Sequence, residues 1–326
     1  MHMQSTEAYS GKRWGEYHKD SRDWKRYNDE LVVRGEFLLD LDFSDRWFLD
    51  VERMNRAKRG GQYVFPESMI RWLLIWKQFL DYRGLEGVTR RLADIGIIPY
   101  YPDYTTIWYR VHDLIPPISI EDMDYEVASD GSGLKSSNAG EYRIIKYGDP
   151  EAKHRKHLIV VITADVHTKK LLGISARIEG KGRSEGDDAS DHMKNAILRG
   201  IGISKFFGDG AFDTNSMFSL LGSQRIDPII KIRKNAAPDR YKGSKYRRRA
   251  VRRYKESGYK EWAEKSHYGM RWPGSEGIFS AVKRRFGENT VSRSIKGLLA
   301  EGYQRFWSYD VLREYGEAMK GDERVK

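Results

Sequence analysis

Residues 157–166, HLIVVITADV, decide the fold class of this chain. They form a nearly continuous run of apolar and β-branched side chains, which is typical of a strand that is buried on both faces. Residues 167–170 (HTKK) follow as a turn, and residues 171–178 (LLGISARI) return as the second strand of a hairpin. A doubly buried strand needs covering helices, so the segment predicts an α/β domain.

The flanking segments extend this domain in both directions. Upstream, residues 125–130 (YEVASD) predict a short strand that ends at Asp130, before a Gly-Ser-Gly turn. Downstream, residues 187–198 have helical spacing, and residues 203–208 form a strand that leads into Asp209. A helix from residue 214, a strand at 227–232 and a helix at 276–286 complete the pattern.

The first 120 residues are instead predicted to be mainly helical. Residues 67–80 place apolar side chains on helical spacing, and residues 85–94 and 105–114 predict two further helices around a Gly- and Pro-containing turn. This outline, with Arg90, Arg91 and Arg110 on the helices, suggests a helix-turn-helix that binds DNA, although an ordinary helical bundle has the same pattern. Pro116-Pro117 mark the boundary between residues 1–120 and a second domain at 121–326.

Charge points to a polyanionic partner. The 326 residues contain 58 Lys and Arg against 47 Asp and Glu, a formal net charge of +11. Such a balance favours nucleic acid, while a merely basic protein is the alternative. The chain has no cysteine, no stretch that is apolar enough to span a membrane and no apolar signal segment at its start, so we expect a cytoplasmic protein.

Three acids are predicted to meet at one edge of the sheet. Asp130 and Asp209 each follow a strand, and Glu276 begins a helix. Carboxylates at such positions can converge on one pocket and hold hard divalent cations such as Mg²⁺, which support in-line phosphoryl transfer. The alternative is coincidence, because a chain with 47 acids contains many triples of this kind.

Local motifs around these acids resemble a known family. Asp209 lies in GDGAFDT, and Glu276 follows Tyr268 and Arg271 and precedes Lys283 by seven positions. Three segments of the N-terminal half add to the same resemblance: residues 27–36 (YNDELVVRGE), 82–87 (YRGLEG) and 102–107 (PDYTTI). Together they resemble the insertion-sequence transposases of the DDE class, in the branch with a Tyr-Arg-Glu-Lys signature (insertion sequence families four and five).

The resemblance implies a ribonuclease H-like catalytic domain behind a helical DNA-binding region. It implies that Asp130, Asp209 and Glu276 are the catalytic acids and bind Mg²⁺, with Mn²⁺ as a substitute. Tyr268, Arg271 and Lys283 match the other catalytic members of the signature. One departure concerns spacing, because four residues separate Arg271 from Glu276 where the family usually has three.

The activity implied is that of an endonuclease and strand-joining enzyme in DNA transposition. It would cleave phosphodiester bonds at the ends of an insertion sequence, and the freed 3′-hydroxyl would attack target DNA. The partners would be double-stranded transposon ends and target DNA, bound by a homodimer. Two alternatives remain: a metal-dependent nuclease without strand joining, and an inactive or domesticated DNA-binding protein.

Two further segments have weaker assignments. One of Asp187, Asp188 and Asp191 is a candidate fourth metal ligand, although acids also favour a helix start for electrostatic reasons. Asp213 is predicted to cap the helix that begins at residue 214. The basic run at 240–254 (RYKGSKYRRRAVRRY) is either a DNA-tracking surface with stacking tyrosines or a mobile solvated loop.

Overall fold

The computed structural model describes residues 23–135, 157–180, 182–237 and 243–318. The first three residues of the predicted basic run, 240–242, lie outside the described residues. Within the described part, five helices precede the first strand: α1 (Trp24–Glu36), α2 (Trp47–Asn55), α3 (Glu67–Trp76), α4 (Tyr82–Asp94) and α5 (Tyr104–Val111). The caps Asp23, Asp81 and Asp103 each accept a hydrogen bond from a first-turn backbone N–H, which explains where α1, α4 and α5 begin.

A mixed five-stranded sheet follows. Its strands are β1 (Asp124–Lys135), β2 (His157–Asp165), β3 (Leu171–Ile178), β4 (Gly202–Gly208) and β5 (Asp227–Ile230). The order is β3-β2-β1-β4-β5. β2 is antiparallel to both β3 and β1, whereas β4 is parallel to both β1 and β5. This is the ribonuclease H-like arrangement, and it confirms the predicted fold class: a helical N-terminal region followed by an α/β domain.

The first strand is longer than the sequence pattern predicts. We expected it to end at Asp130, but β1 continues to Lys135 because residues 131–135 pair with residues 157–161 of β2. The Gly-Ser-Gly segment is therefore part of a sheet and not a turn. Glycine is a weak strand residue, which is why its pattern suggested a turn, but ladder hydrogen bonds to β2 hold it in the extended conformation.

The remaining helices lie on the two faces of the sheet and beyond its edge. They are α6 (Glu185–Leu198), α7 (Asn215–Ser223), α8 (Lys245–Lys265), α9 (Arg271–Gly274), α10 (Glu276–Phe286) and α11 (Ile295–Ala318). The predicted basic run is thus helical over most of its length. Its helix α8 bends at Gly258, where φ is +72° and only glycine is unstrained.

The last helix, α11, ties the two predicted regions together. It is buried on most of its sides and packs against β2 and β3, with Gly302 so close to Leu158 that an added Cβ would lie 2.8 Å from that side chain. Apolar side chains of α2, α3, α5, the sheet and α11 form one continuous core. The Pro116 and Pro117 carbonyls accept hydrogen bonds from Tyr303 and Trp307 of α11. The helical region therefore shares its core with the α/β domain. No helix in the described part of the chain could cross a membrane.

Candidate active site

Asp130 and Asp209 lie side by side because of the parallel register between β1 and β4. Ala128 pairs with Phe207 in that register, so extending it by two residues places Asp130 level with Asp209. Neighbouring strands are about 4.8 Å apart, and residues at the same level of a parallel pair point to the same face. The two carboxylates therefore occupy one edge of the sheet, where β4 ends.

The Asp130 carboxylate is largely enclosed, with 15% of its side chain exposed. It accepts hydrogen bonds from the Gly131 N–H at 2.9 Å, from Arg271 at 3.3 Å and from the Ser275 hydroxyl at 3.3 Å. Burial raises the pKa of Asp130, and the negative charge of Asp209 adds to this shift, while Arg271 and the other two donors oppose it. The local environment therefore disfavours a lone carboxylate and would favour an added cation.

Glu276 joins this pair through Arg271. One guanidinium donates from Nη1 to Asp130 and from Nη2 to Glu276, at 3.3 and 3.4 Å. The two carboxylates are thus separated by no more than one guanidinium and two hydrogen bonds. Only 11% of the Arg271 side chain is exposed, and its Nε is buried without a partner among the described residues.

The extra residue between Arg271 and Glu276 is accommodated by a break between two helices. Residues Arg271–Gly274 form the single turn α9, and Ser275 leaves helical geometry with φ −131° and ψ −72° before α10 begins at Glu276. Gly274 packs against Val166 of the sheet so closely that an added Cβ would lie 3.1 Å from it. Arg271 and Glu276, on either side of this break, are in hydrogen-bond contact at 3.4 Å.

Tyr268 and Lys283 occupy different surroundings. Tyr268 is buried beside Trp262, with ring centroids 5.0 Å apart, and its ring lies 5.6 Å from the Arg271 guanidinium carbon. Burial raises its pKa to about 12, so its hydroxyl keeps its proton at neutral pH. Lys283 is half-buried on α10, and its charge adds to the lowering of the pKa of Glu288, which is due mainly to the hydrogen bond and charge of Lys135. The catalytic assignment of all six predicted residues stays a prediction: Asp130, Asp209, Tyr268, Arg271, Glu276 and Lys283.

The loop that carries Asp209 is held by a buried ion pair. Asp209 caps the short 3₁₀ turn Gly210–Phe212 and accepts a hydrogen bond from the Ala211 N–H at 2.7 Å. Asp213, four residues later, is not the predicted helix cap, because Thr214 fills that role. The carboxylate of Asp213 is fully buried and accepts hydrogen bonds from Nε and Nη2 of Arg247, at 2.7 and 3.0 Å.

Glu185 is a site residue that the sequence did not point to. It lies in the first turn of α6, and its carboxyl carbon would be 2.5 Å from a Cβ built on Gly131. Burial raises the pKa of Glu185, followed by the charges of Asp130 and Asp209, so the three carboxylates interact. The glycine directly after Asp130 was the available signal, because only a residue without a side chain leaves room for Glu185.

The three acids that were candidates for a fourth ligand are all bound elsewhere. Asp187 forms a capping box with Ser184 at the start of α6. Asp188 is buried between Arg177 and Arg183, and Asp191 pairs with Arg183 and Lys194. These partners explain the acids as supports of α6.

A buried polar network fixes α6, and therefore Glu185, against the sheet. His192 of α6 contacts the hydroxyls of Thr163 and Ser175 at 2.9 and 2.7 Å, and Thr163 contacts Ser129, the neighbour of Asp130, at 2.7 Å. A Cβ on Gly173 would lie 2.3 Å from the His192 ring, so the helix approaches the sheet closely there. Burial lowers the pKa of His192 to about 4, so its ring is neutral at physiological pH.

The donor chemistry of the site suits a hard divalent cation. All its candidate ligands are carboxylates, which hard cations prefer. Burial and the negative charges of neighbouring carboxylates raise the pKa values of Asp130 and Glu185. Within the described ranges, no three His, Asp or Glu side chains are close enough to hold one ion as they stand. The Arg271 guanidinium lies between Asp130 and Glu276 and would have to move for these two carboxylates to hold the same ion.

The helical region, the mixed five-stranded sheet and its covering helices define a ribonuclease H-like fold, with the candidate acids at one edge of the sheet. Residues 124–309 match a family model described as "Transposase DDE domain", and residues 32–139 match a second model with the same description. The first match spans more than half of the chain, so this protein belongs to the DDE transposase family. A solved structure, the piggyBac transposase synaptic complex with hairpin DNA, is similar at 10% identity and a TM-score of 0.37, covering 91% of this chain and 77% of that one.

Proposed function

We propose that this protein is an insertion-sequence DNA transposase of the Tyr-Arg-Glu-Lys branch, which cleaves the ends of its element and joins their 3′-hydroxyls to target DNA. The observation that carries the proposal is the Arg271 guanidinium, which links Glu276 to Asp130, the acid that lies level with Asp209 on the neighbouring strand. Family membership supports the reaction class, and the order of Tyr268, Arg271, Glu276 and Lys283 supports the branch, although one residue more than usual separates Arg271 from Glu276.

Asp130, Asp209 and Glu276 would hold Mg²⁺, with Mn²⁺ as a substitute. When bound, such ions polarise the attacking and leaving oxygens of an in-line displacement at phosphorus. Glu185 adds a fourth carboxylate beside Asp130, which increases the negative potential at this edge. The same site serves hydrolysis and strand joining, because the two reactions differ only in whether water or a 3′-hydroxyl attacks.

The basic members of the signature act on the substrate and on the acids. Arg271 neutralises and orients Asp130 and Glu276 before substrate binds, and its delocalised charge then suits a phosphate oxygen near the scissile bond. Lys283 lies two helical turns after Glu276 on the same face of α10, where it would contact a neighbouring phosphate. The protonated Tyr268 hydroxyl can donate a hydrogen bond but cannot act as a base near neutral pH.

The helical N-terminal region would recognise the transposon ends. The exposed face of α5 contains Tyr104, Thr105, Trp108 and Tyr109, whereas Arg110 is half-buried and stacks over the Tyr63 ring at 4.6 Å. A base-reading role therefore fits Thr105 and Tyr109 better than Arg110. Because these helices share a core with the sheet, end recognition should be tested in the full chain.

The decisive experiment measures cleavage and joining in parallel. The inverted repeats that flank the coding sequence supply an end duplex, and a pre-cleaved duplex with a free 3′-hydroxyl supplies the joining substrate. With Mg²⁺ or Mn²⁺, Asp209→Asn should lower both rates at least about a hundredfold, because it removes one ligand of the ions that stabilise the transition state. Asp191→Asn, which loses only exposed ion pairs of α6, is the matched control.

Binding of Mn²⁺, followed by its paramagnetic resonance signal, gives a readout that is independent of catalysis. Asp209→Asn should weaken this binding, while Asp191→Asn should not. Cleavage by Asp209→Asn within tenfold of wild type would contradict the proposed site. Cleavage without any joined product would instead identify a nuclease and contradict the transposase assignment. Sedimentation of the complex with end DNA tests the proposed homodimer.

A further inference from the structure

A basic groove lies beyond β5, at the edge of the sheet away from β3. Its volume is about 620 Å³, and apolar side chains of Ile226, Ile229 and Ile230 line it together with residues of α7 and α8. Six basic residues face it: Lys205, Arg225, Arg249, Arg253, Lys265 and His267. Asp227 is the acid in the same lining.

The positive charges of three of these basic side chains are not neutralised by a described acidic residue. Arg225, Arg249 and Arg253 are exposed, and none forms an ion pair with another described residue. Lys205 and Lys265, in contrast, are neutralised by Glu126 and Glu261. The three arginines therefore leave a net positive potential in the groove.

The walls of the groove are held in place by close packing. Tyr246 of α8 covers Gly222 at the end of α7, where an added Cβ would lie 2.2 Å from its ring. α8 bends at Gly258, and the rings of Tyr254, Tyr259 and Trp262 on either side of the bend form edge-to-face and tilted contacts with centroids 5.0–6.5 Å apart. Of the described tyrosines of the basic run, Tyr246 lines the groove against Gly222, and Tyr254 packs against Trp262.

We infer that this groove binds the sugar-phosphate backbone of the DNA that leads into the active site. The inference rests on the proposed function, since it assigns a second contact to the same substrate. Arg249 and Arg253 lie one helical turn apart, about 6 Å, which is close to the axial rise of two base steps, about 6.8 Å. Arg225 faces them from the turn that follows α7, so the three guanidiniums can contact alternate phosphates of one strand from both walls.

The position of the groove connects it to the catalytic acids. His267, in its lining, directly precedes Tyr268, and Tyr268 contacts both Trp262 and Arg271. DNA that is bound in the groove beside β5 is therefore one β-strand away from Asp209, because β5 neighbours β4 and Asp209 follows β4. Contacts of this kind carry no base sequence, so the groove binds any DNA with equal strength.

Salt dependence of binding tests this inference in the full-length protein. The triple variant Arg225→Ala, Arg249→Ala, Arg253→Ala should flatten the plot of log affinity against log salt by about 2.7, or about 0.9 per lost phosphate contact. Between 50 and 200 mM salt, wild type should then lose about 40-fold more affinity than the variant. End DNA and random duplex should show the same change.

A charge-matched control separates the groove from general basicity. Arg199→Ala, Lys255→Ala, Lys260→Ala also removes three exposed positive charges, none of them in the groove lining. Should the triple variant fold poorly, Arg249→Gln with Arg253→Gln should still reduce the slope by about 1.8. Equal slopes for groove variant and control would overturn the inference, as would a loss confined to end DNA.

The outcome is independent of the proposed catalytic function. The salt slope of the groove variant is measured by binding alone, so it does not depend on whether the protein cleaves DNA. Asp209→Asn should keep the wild-type salt slope whether or not it cleaves. A normal slope in the groove variant therefore rejects the groove alone, and normal cleavage by Asp209→Asn rejects the proposed active site alone.

Discussion

Replacing Arg247 with alanine should destabilise the fold and leave the DNA contacts of the basic helix intact. Arg247 lies in the most basic stretch of the chain, next to Arg248 and Arg249, but it turns inward and binds Asp213 with two hydrogen bonds of 2.7 and 3.0 Å. The Asp213 side chain is 0% exposed and that of Arg247 is 17% exposed. The substitution leaves a buried carboxylate whose remaining donor is the Arg233 N–H, at 3.0 Å.

The cost follows from the burial of the charge that remains. Removing one partner of a buried ion pair costs about 3–5 kcal/mol, since the other charge stays desolvated. Arg249→Ala, two residues along the same helix and exposed, should change the free energy of unfolding by less than about 0.5 kcal/mol. The double variant Arg247→Ala, Asp213→Ala should cost less than the sum of its two single changes, because no unpaired charge remains.

Urea denaturation at pH 7, followed by far-ultraviolet circular dichroism, measures these free energies, and DNA binding over a salt series measures the contacts. Arg247→Ala should lower the midpoint of unfolding without flattening the salt dependence. A loss of less than about 1 kcal/mol together with a slope reduced by about 0.9 would refute the assignment, because Arg247 would then bind phosphate and not Asp213.

Two further predictions concern α6. His192 has a folded-state pKa of about 4, below its unfolded value of 6.5, so its contribution to stability is fully present above pH 6.5 and is lost as pH falls toward 4. Over that range, the free energy of unfolding of wild type should fall by about 3 kcal/mol more than that of His192→Asn, as measured by urea denaturation at each pH. Parallel curves for the two proteins would contradict this prediction. Glu185→Gln should raise the melting temperature of the metal-free protein, because it removes repulsion from Asp130 and Asp209, and should weaken Mn²⁺ binding about tenfold or more. Asp191→Asn is the control for both effects of Glu185→Gln, on melting temperature and on Mn²⁺ binding. A Glu185→Gln variant that matched this control would show that Glu185 does not face the ions.

Several features of the site could be predicted from the residues alone. The apolar run at 157–166 predicted a buried strand because its side chains can be satisfied only between two covering layers. Asp209 was recognisable because it follows a strand and lies in a glycine-flanked motif. Of those glycines, Gly208 is required by close packing, since a Cβ there would lie 2.9 Å from Phe212. These signals are local, so a single segment contains all of the information needed.

Other features depend on residues that are far apart in the chain. Gly131 looked like a turn residue, and only its pairing with Val161 and the nearby carboxylate of Glu185 explain its presence in a strand. Arg247 looked like a DNA ligand because its neighbours in sequence are basic, whereas its partner Asp213 lies 34 positions away. Charge along a sequence does not indicate which side chains turn inward.

The sequence by itself therefore determined the class of this protein: its α/β domain, its three candidate acids, its basic character and its family. These properties follow from hydrophobic periodicity and short motifs, which act over a few residues. Only the tertiary structure decided that Glu185 joins Asp130, that Arg271 bridges Asp130 and Glu276, and that the helical region shares its core with the sheet through α11. Such pairings depend on strand register and helix packing, where a shift of one residue would move a side chain to the opposite face.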